Sequence, residues 1–418
     1  MLGDVGILMR ATFIAQGIGL LALPILSRLY GPTDFGDFTL YQAALLILTV
    51  VICMRYDQAI LTAPDDAEAL ALLQLCVIVA ICVAALLAVP ILLLDRAGYA
   101  AALSGPVSPV WLIVGGWVSG VVLAANATLT RLSAFEVTGR TKVGQSAGGT
   151  VAALTFGAMA PSGLGLIVAD QMGKAVAIVI TARHLASRIE TLVRIDWGAL
   201  GSLARKYAAF PRLSVLGGLL NNGGSFLTPV MLYALYGAEI AGQFALVDRT
   251  ISLPLSLVIL SVSQVFSAHY ARLLREDPAQ ALLYFRSLIR TSAVLAVIPT
   301  VIGMLLAPTL FPLAFGARWA EAGWFAQLLA VMYFSAAVMG PVNAALVVAN
   351  RLGWQLGWEA ARLALLIGLW LTVTRLELDA SSALIGFAAV TVIVNLAFVL
   401  LAYVQLLGAV AERRSSRG

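Results

Sequence analysis

Ionisable side chains inside long apolar stretches are the residues of this chain best placed to do chemistry, because charge in hydrocarbon is costly and persists where it meets a partner, a cavity or the interface. Arg10 stands about two turns into the first apolar run, and Arg55 and Asp57 stand near the end of the second, within reach of headgroups. Asp170 and Lys174 are four apart and share a helix face, so they form either a structural salt bridge or a functional pair. Asp248 and Arg249 lie about 12 Å below the nearest turn at 1.5 Å per residue, too deep for easy snorkelling. Adjacent residues point about 100° apart, so these two cannot pair face to face, and at least one should meet a cavity. Arg10, Arg55, Lys174 and Arg249 suit an anionic ligand. Asp57, Asp170 and Asp248 are candidate carriers of H+ or Na+, since such a carboxylate can change its charge between states. Asn221 and Asn222 open the run Asn221-Asn222-Gly223-Gly224, followed by Pro229, which should either loosen its helix near mid-span or mark a close helix contact. Glu359 and Arg362 lie within headgroup reach, and Asn126, Gln264, Asn343 and Asn395 are explained by interhelical hydrogen bonds.

Catalysis and cofactors find no such footing. His184 and His269 fall in or beside polar connections, away from any nucleophile or metal ligand in the apolar runs. Cys53, Cys76 and Cys82 lie in apolar runs, where cysteine usually acts as a small buried hydrophobe. No glycine loop that cradles phosphate precedes a lysine. No catalytic residue, metal site or cofactor is expected, and energy must come from an ion gradient, the membrane potential or the gradient of whatever is moved.

The elements that position these groups follow from composition. Of 418 residues 61% are hydrophobic and 11% charged, with mean hydropathy +0.97, far more apolar than a soluble core requires. Hydropathy predicts an all-α polytopic membrane protein with twelve spans: 5–29, 36–60, 69–94, 109–131, 145–160, 162–183, 209–235, 241–267, 286–313, 321–347, 354–374 and 381–408. The first run is read as a retained helix rather than a cleaved leader. Basic residues crowd the even-numbered connections and the C-terminus, including Arg140, Lys142, Arg188, Arg194, Lys206, Arg272, Arg275 and Arg417, so both termini are expected in the cytoplasm.

One turn occurs twice. Leu29-Tyr30-Gly31-Pro32-Thr33-Asp34-Phe35-Gly36-Asp37-Phe38-Thr39-Leu40 returns 206 residues later as Leu235-Tyr236-Gly237-Ala238-Glu239-Ile240-Ala241-Gly242-Gln243-Phe244-Ala245-Leu246, with six of twelve positions identical. Gly31 and Gly237 suit left-handed helix ends, Pro32 starts the next helix, and Thr33 or Asp34 can cap it. An even number of spans between the copies means a parallel repeat about an axis along the membrane normal, an arrangement found in transporters. The expected parts are an N-terminal lobe (1–183), a cytoplasmic linker (184–208) and a C-terminal lobe (209–418), with six helices in each lobe. In the linker Ile189, Leu192, Val193, Ile195, Trp197 and Leu200 alternate with charges, as in an amphipathic helix on the membrane surface. Gly116-x-x-x-Gly120 and Gly144-x-x-x-Gly148 would let helices approach closely.

Several stretches carry a family likeness: Leu26-Ser-Arg28 continuing through Phe38; Met54-Arg55-Tyr-Asp57; Arg205-Lys-Tyr-x-x-Phe-Pro211; and Tyr236-Gly through Asp248-Arg249-x-x-Ser-Leu-Pro254. Across nearly its whole length the chain resembles the Wzx-type polysaccharide exporters, or O-antigen flippases, of the MOP superfamily that also holds the multidrug MATE antiporters and the lipid II flippase. The resemblance implies a central cavity between the lobes, alternating access and a lipid-linked oligosaccharide as substrate, for O-antigen or exopolysaccharide biosynthesis in the bacterial cytoplasmic (inner) membrane. It also implies cationic cavity residues at Arg10, Arg55 and Arg249; at Asp57 family members commonly carry Glu. Expected partners are the glycan substrate, membrane lipids and other polysaccharide assembly proteins, with no nucleic acid. Independently, a dianionic diphosphate headgroup needs a polar cationic cavity to cross hydrocarbon. Two rivals are an ion-coupled multidrug antiporter, which would want acidic and aromatic cavity residues, and a glycan polymerase or ligase, which would want a large extracytoplasmic catalytic loop.

Overall fold

A computed structural model describes residues 2–96, 108–186 and 196–415, and among these every regular element is a helix. The chain runs α1 (Leu2–Leu29), α2 (Pro32–Ile52), the short α3 (Tyr56–Ile60), α4 (Asp66–Arg96), α5 (Val110–Arg131), α6 (Phe135–Met159), α7 (Gly163–His184) and α8 (Trp197–Lys206). After a π-helical turn at Phe210–Ser214 come α9 (Val215–Glu276), α10 (Pro278–Phe315), α11 (Ala320–Met339), α12 (Ala345–Val348), α13 (Leu352–Leu376) and α14 (Ala380–Ser415). Among the described residues ten stretches are long and apolar enough to cross a membrane. One of them turns at Gly237 into two span-length arms, 215–236 and 238–276, and α6, with 25 residues, is long enough but polar in its first half. The described residues thus hold twelve helices of spanning length.

Several expected boundaries move. The second span does not reach residue 60: α2 stops at Ile52, Met54 and Arg55 adopt left-handed φ of 48° and 60°, and α3 starts afresh. The fifth helix begins at Phe135, so Arg140 and Lys142 lie on α6 rather than in a connection. Hydropathy misses this because its first half, through Arg140, Lys142 and Gln145, is polar. The tenth span is interrupted after Met339 by a 3-10 turn at Gly340–Val342, where Pro341 offers no amide to the helix ladder. Asn221 to Gly224 is helical, and the sole non-helical residue inside α9 is Gly237, at φ 84°. The weak helix formers therefore do not break the span; the turn glycine does. Gly237 has the positive φ expected of it, whereas Gly31 is extended (φ −85°) and leaves Pro32 to begin α2.

Two compact units divide the chain at Gly242 and Gln243. In the first, Tyr30 is fully buried and its hydroxyl donates to the Ala153 carbonyl of α6 at 2.8 Å, the ring occupying space that a side chain on Gly157 would fill. A core of Ile52, Tyr56, Ile60, Leu72, Cys76 and Ala124 joins α2 through α5, and Leu200 of α8 packs into it. The helix α8 over Trp197–Lys206 is capped by Asp196, with Leu200 buried and Trp197 exposed. Ile189, Leu192, Val193, Ile195, Arg188, Arg194 and Arg417 lie outside the described residues. Gly144 and Gly148 lie against Ile180 and Val176 of α7, and Gly120 against Ile52, as the small-residue spacing suggested. The second unit packs around Phe266, Tyr270, Phe285, Val342, Leu346 and Phe398, with the Trp358 indole donating to the Val394 carbonyl at 2.8 Å.

Candidate functional site

The two copies of the repeated turn touch. A Cβ on Gly36 would meet the Ala238 carbonyl oxygen at 1.9 Å, and one on Gly242 would meet the Pro32 carbonyl oxygen at 1.7 Å. Gly36 and Gly242 are equivalent under the 206-residue shift, as are Pro32 and Ala238, so the contact is reciprocal, like one across a twofold axis. Backbones pass this closely only where no side chain intervenes. Beside the contact, the Tyr233 hydroxyl donates to Oδ1 of buried Asp37 at 2.7 Å, and the Gly31 amide donates to Asp34 at 2.8 Å. The sequence reading passes over Asp37; its signal was an acid inside the repeated turn where the second copy has a neutral Gln243.

Deeper in the same unit, Asp170 and Lys174 of α7 form the salt bridge that their spacing allowed, at 2.6 Å with Lys174 buried. Asp170 also accepts from Gln171 at 2.9 Å and faces Gln42 of α2 at 3.5 Å. Gln171 donates to the Tyr41 hydroxyl at 2.8 Å, which reaches the Trp111 carbonyl at 3.3 Å. Tyr41 fits because Gly115 is bare; a Cβ there would lie 2.0 Å from the hydroxyl. Gln42, Tyr41 and Gln171 read as ordinary span residues in sequence, and only the packing of three helices unites them. Asp170 is therefore a fully engaged carboxylate.

Arg55 is held differently. Its left-handed backbone at the α2–α3 break, in place of a continuing helix, turns the guanidinium onto the first arm of α9, where a Cβ on Gly218 would meet Nη2 at 2.0 Å. It does not snorkel outward. Nε of Arg55 and Oδ1 of Asp57 are buried without a hydrogen-bond partner, and Asp57 is only 5% exposed. Asn221 and Asn222 follow Gly218 by three and four residues, so they share its helix face; Asn221 is exposed and Asn222 half-buried. At the nearby surface Lys206 and Tyr207 both donate to Glu68, at 2.5 and 2.8 Å. That bond lifts Lys206 above the usual lysine range, while desolvation first, and then Glu68, raises the Tyr207 phenol.

Arg10 is exposed and lines a pocket of about 670 Å³ between α1 and α6, together with Ile14, Glu136, Gly139 and Arg140. Glu136 already faces Arg140 at 3.6 Å, and Arg10 forms no ion pair among the described residues. In the second unit Asp248 accepts from Ser252 at 2.6 Å and from Tyr333 at 3.3 Å, while Arg249 is half-buried. Glu359 is buried beside Arg362 at 3.7 Å, with the guanidinium over the Trp358 ring. Among the described residues no group of three His, Cys, Asp or Glu could hold a metal.

Comparison with known proteins supplies a family and a fold. Residues 1–266 match the family described as polysaccharide biosynthesis protein. No curated protein matches the sequence significantly. Among solved structures, an inward-facing multidrug resistance MATE family transporter of the MOP superfamily is similar, with TM-score 0.71 and 14% identity, over 96% of this chain and 95% of that one. An outward-facing MATE transporter of the same superfamily matches with TM-score 0.58 and 15% identity, over 99% of this chain and 96% of that one. A Vibrio cholerae MATE transporter matches with TM-score 0.57 and 14% identity, over 98% and 96%. The fold is that of the MATE transporters, with two six-helix lobes.

Proposed function

Because this chain belongs to the family of polysaccharide biosynthesis proteins and has a transporter fold, we propose that it is a flippase. Its substrate is a polyprenyl-diphosphate-linked oligosaccharide, carried across the bacterial cytoplasmic membrane by alternating access for surface polysaccharide assembly. The moving lobes are 1–183 and 209–418, joined by 184–208, with both termini cytoplasmic.

One contrast supports this reading over cation export. The carboxylates Asp37, Asp170 and Asp248 are each occupied by donors of the protein itself. Arg10 and Arg55 form no ion pair among the described residues, and Nε of Arg55 is buried with its donor unused. Guanidinium groups without an ion pair, set against carboxylates engaged by protein donors, favour an anion, although Asp57 beside Arg55 is an acid whose Oδ1 accepts no hydrogen bond. Arg55, with Asn221 and Asn222 on the facing arm, receives the diphosphate from the cytoplasmic side; Arg10, Lys174 and Arg249 contribute along its path. A few shared charges release the headgroup more readily than a tight cage. Coupling to H+ or Na+ runs through Asp248 in preference to Asp170 or Asp57, because it lies deep and is held, among the described residues, by the hydroxyls of Ser252 and Tyr333.

The test is translocation in proteoliposomes, read as protection of the glycan from an impermeant glycosidase. The account expects lipid-linked oligosaccharide to flip and organic cations to stay. Export of organic cations without glycan movement would favour the antiporter reading, and chain elongation without movement a polymerase.

A further inference from the structure

We infer that the groove between α10 and α14 is a binding site for an anionic phospholipid of the surrounding leaflet, separate from the path of the transported substrate. The groove holds about 320 Å³, and its lining includes Arg286, Arg290 and Tyr403 beside Ile289, Val399 and Leu400. Arg286 and Arg290 are four residues apart, so they present their guanidinium groups along one helix face. Both are exposed, and neither forms an ion pair among the described residues. Arg286 donates to the Tyr403 hydroxyl and lies over its ring at 5.0 Å, which fixes one guanidinium while Arg290 stays open beside it. The rest of the lining is aliphatic or aromatic, and Leu400 is 62% exposed on the outer face of the protein.

Depth matches a headgroup. With 38 residues α10 is about 57 Å long, well beyond the roughly 30 Å of bilayer hydrocarbon. Counted back from Phe315 at the far end, Arg290 and Arg286 stand about 38 and 44 Å along the axis, so a hydrocarbon layer of roughly 30 Å that starts at that end leaves both in the polar layer. The near ends of these helices share one membrane face, since Arg413 of α14 donates to the Arg275 carbonyl near the end of α9, just before α10 begins. Two guanidinium forks then face a phosphate while an acyl chain lies along Ile289, Val399 and Leu400. No acid in the groove would meet a choline or ethanolamine ammonium, so a headgroup with net negative charge is preferred over a zwitterionic one. Snorkelling alone would place arginines at this depth, but it would not require two on one face, a fixed Tyr403 contact and an apolar groove beneath them.

Spin-labelled phosphatidylglycerol and phosphatidylcholine, compared on the full-length protein in bilayers, test the site by the fraction of motionally restricted lipid. Wild type should prefer phosphatidylglycerol by roughly tenfold: both lipids offer the phosphodiester, so the preference rests on the choline cation that offsets the attraction to the two arginines. The Arg286→Gln/Arg290→Gln double variant should fall to parity, and Arg286→Lys/Arg290→Lys, which keeps both charges, should retain part of the preference. If the glutamine variant unfolds, the lysine variant and the loss of preference at high salt carry the test. Preference unchanged in a folded glutamine variant would overturn the proposal. So would displacement of the label by a polyprenyl diphosphate but not by unlabelled phosphatidylglycerol, since the groove would then belong to the substrate.

Discussion

The repeated turn is one sequence used twice with two different backbones. At residues 29–40 the chain leaves α1 through an extended Gly31, starts α2 with Pro32, and is tied by Asp34 reaching back to the Gly31 amide. At 235–246 it swings through Gly237 at φ 84° and continues as helix. Most of the identical positions are buried or stand where backbones touch: Tyr30, Phe38 and Phe244, Leu40 and Leu246, and the crossing glycines Gly36 and Gly242. The positions that differ serve local needs. Asp37 accepts a hydrogen bond from the Tyr233 hydroxyl, while its counterpart Gln243 donates to the Arg318 carbonyl and accepts from the Ala322 amide, a combination no carboxylate can provide. Repetition thus survives at the mutual contact and is lost where each copy meets its own surroundings.

The sharpest way to break this comparison is to fill the crossing. Gly36→Val and Gly242→Val should each destabilise the protein by about 3 kcal/mol, because the new atoms meet a carbonyl of the main chain rather than a side chain that can rotate away. Thermal unfolding should show similar losses for both; a large loss at one position and none at the other would contradict a reciprocal contact. A smaller effect separates the two backbones. Gly237→Ala should cost about 2 kcal/mol for its positive φ, with open space around the added methyl, whereas Gly31→Ala, at φ −85°, should carry no such backbone cost. Equal costs would mean that the turns share one conformation. Next, Tyr233→Phe should cost about 1.5 kcal/mol by leaving buried Asp37 with a lost donor, and Asp37→Asn combined with it should add less than its own single effect. Additive losses in that cycle would sever the pair.

The smallest effect lies outside both turns and serves as a control. Lys206 has a raised pKa, so its contribution is complete below the unfolded value of about 10.4 and is lost only as pH rises through the higher folded one. Stability should therefore be flat in Lys206 from pH 7 to about 9.5, and Lys206→Met should change it little, since the ammonium is exposed.

Much of the fold was legible because bilayer physics writes it in hydropathy and in the glycine-bearing turn. Hydropathy shortens α6 because polar residues such as Lys142, which donates to Thr12 at 3.1 Å, face α1 rather than water. The break at Met54 and Arg55 carries no glycine or proline, so nothing local announces it; the left-handed backbone is stabilised by packing around Cys53 and Tyr56. The Asp170–Lys174 pair was visible from spacing alone, but Tyr41, Gln42 and Gln171 join it from positions more than 120 residues apart or on another face of the helix. Asp37 escaped because attention to depth favours residues in the middle of spans, and it sits at the start of one.

Binding of a polyprenyl diphosphate to the folded protein tests most directly the claim that unspent arginines, not acids, read the substrate. By isothermal titration in detergent, Arg55→Ala should weaken binding at least roughly tenfold, Arg55→Lys should recover part of it, and Asp57→Asn should leave it intact or tighten it. Binding by Arg55→Ala equal to wild type, with the protein still folded, would contradict the account.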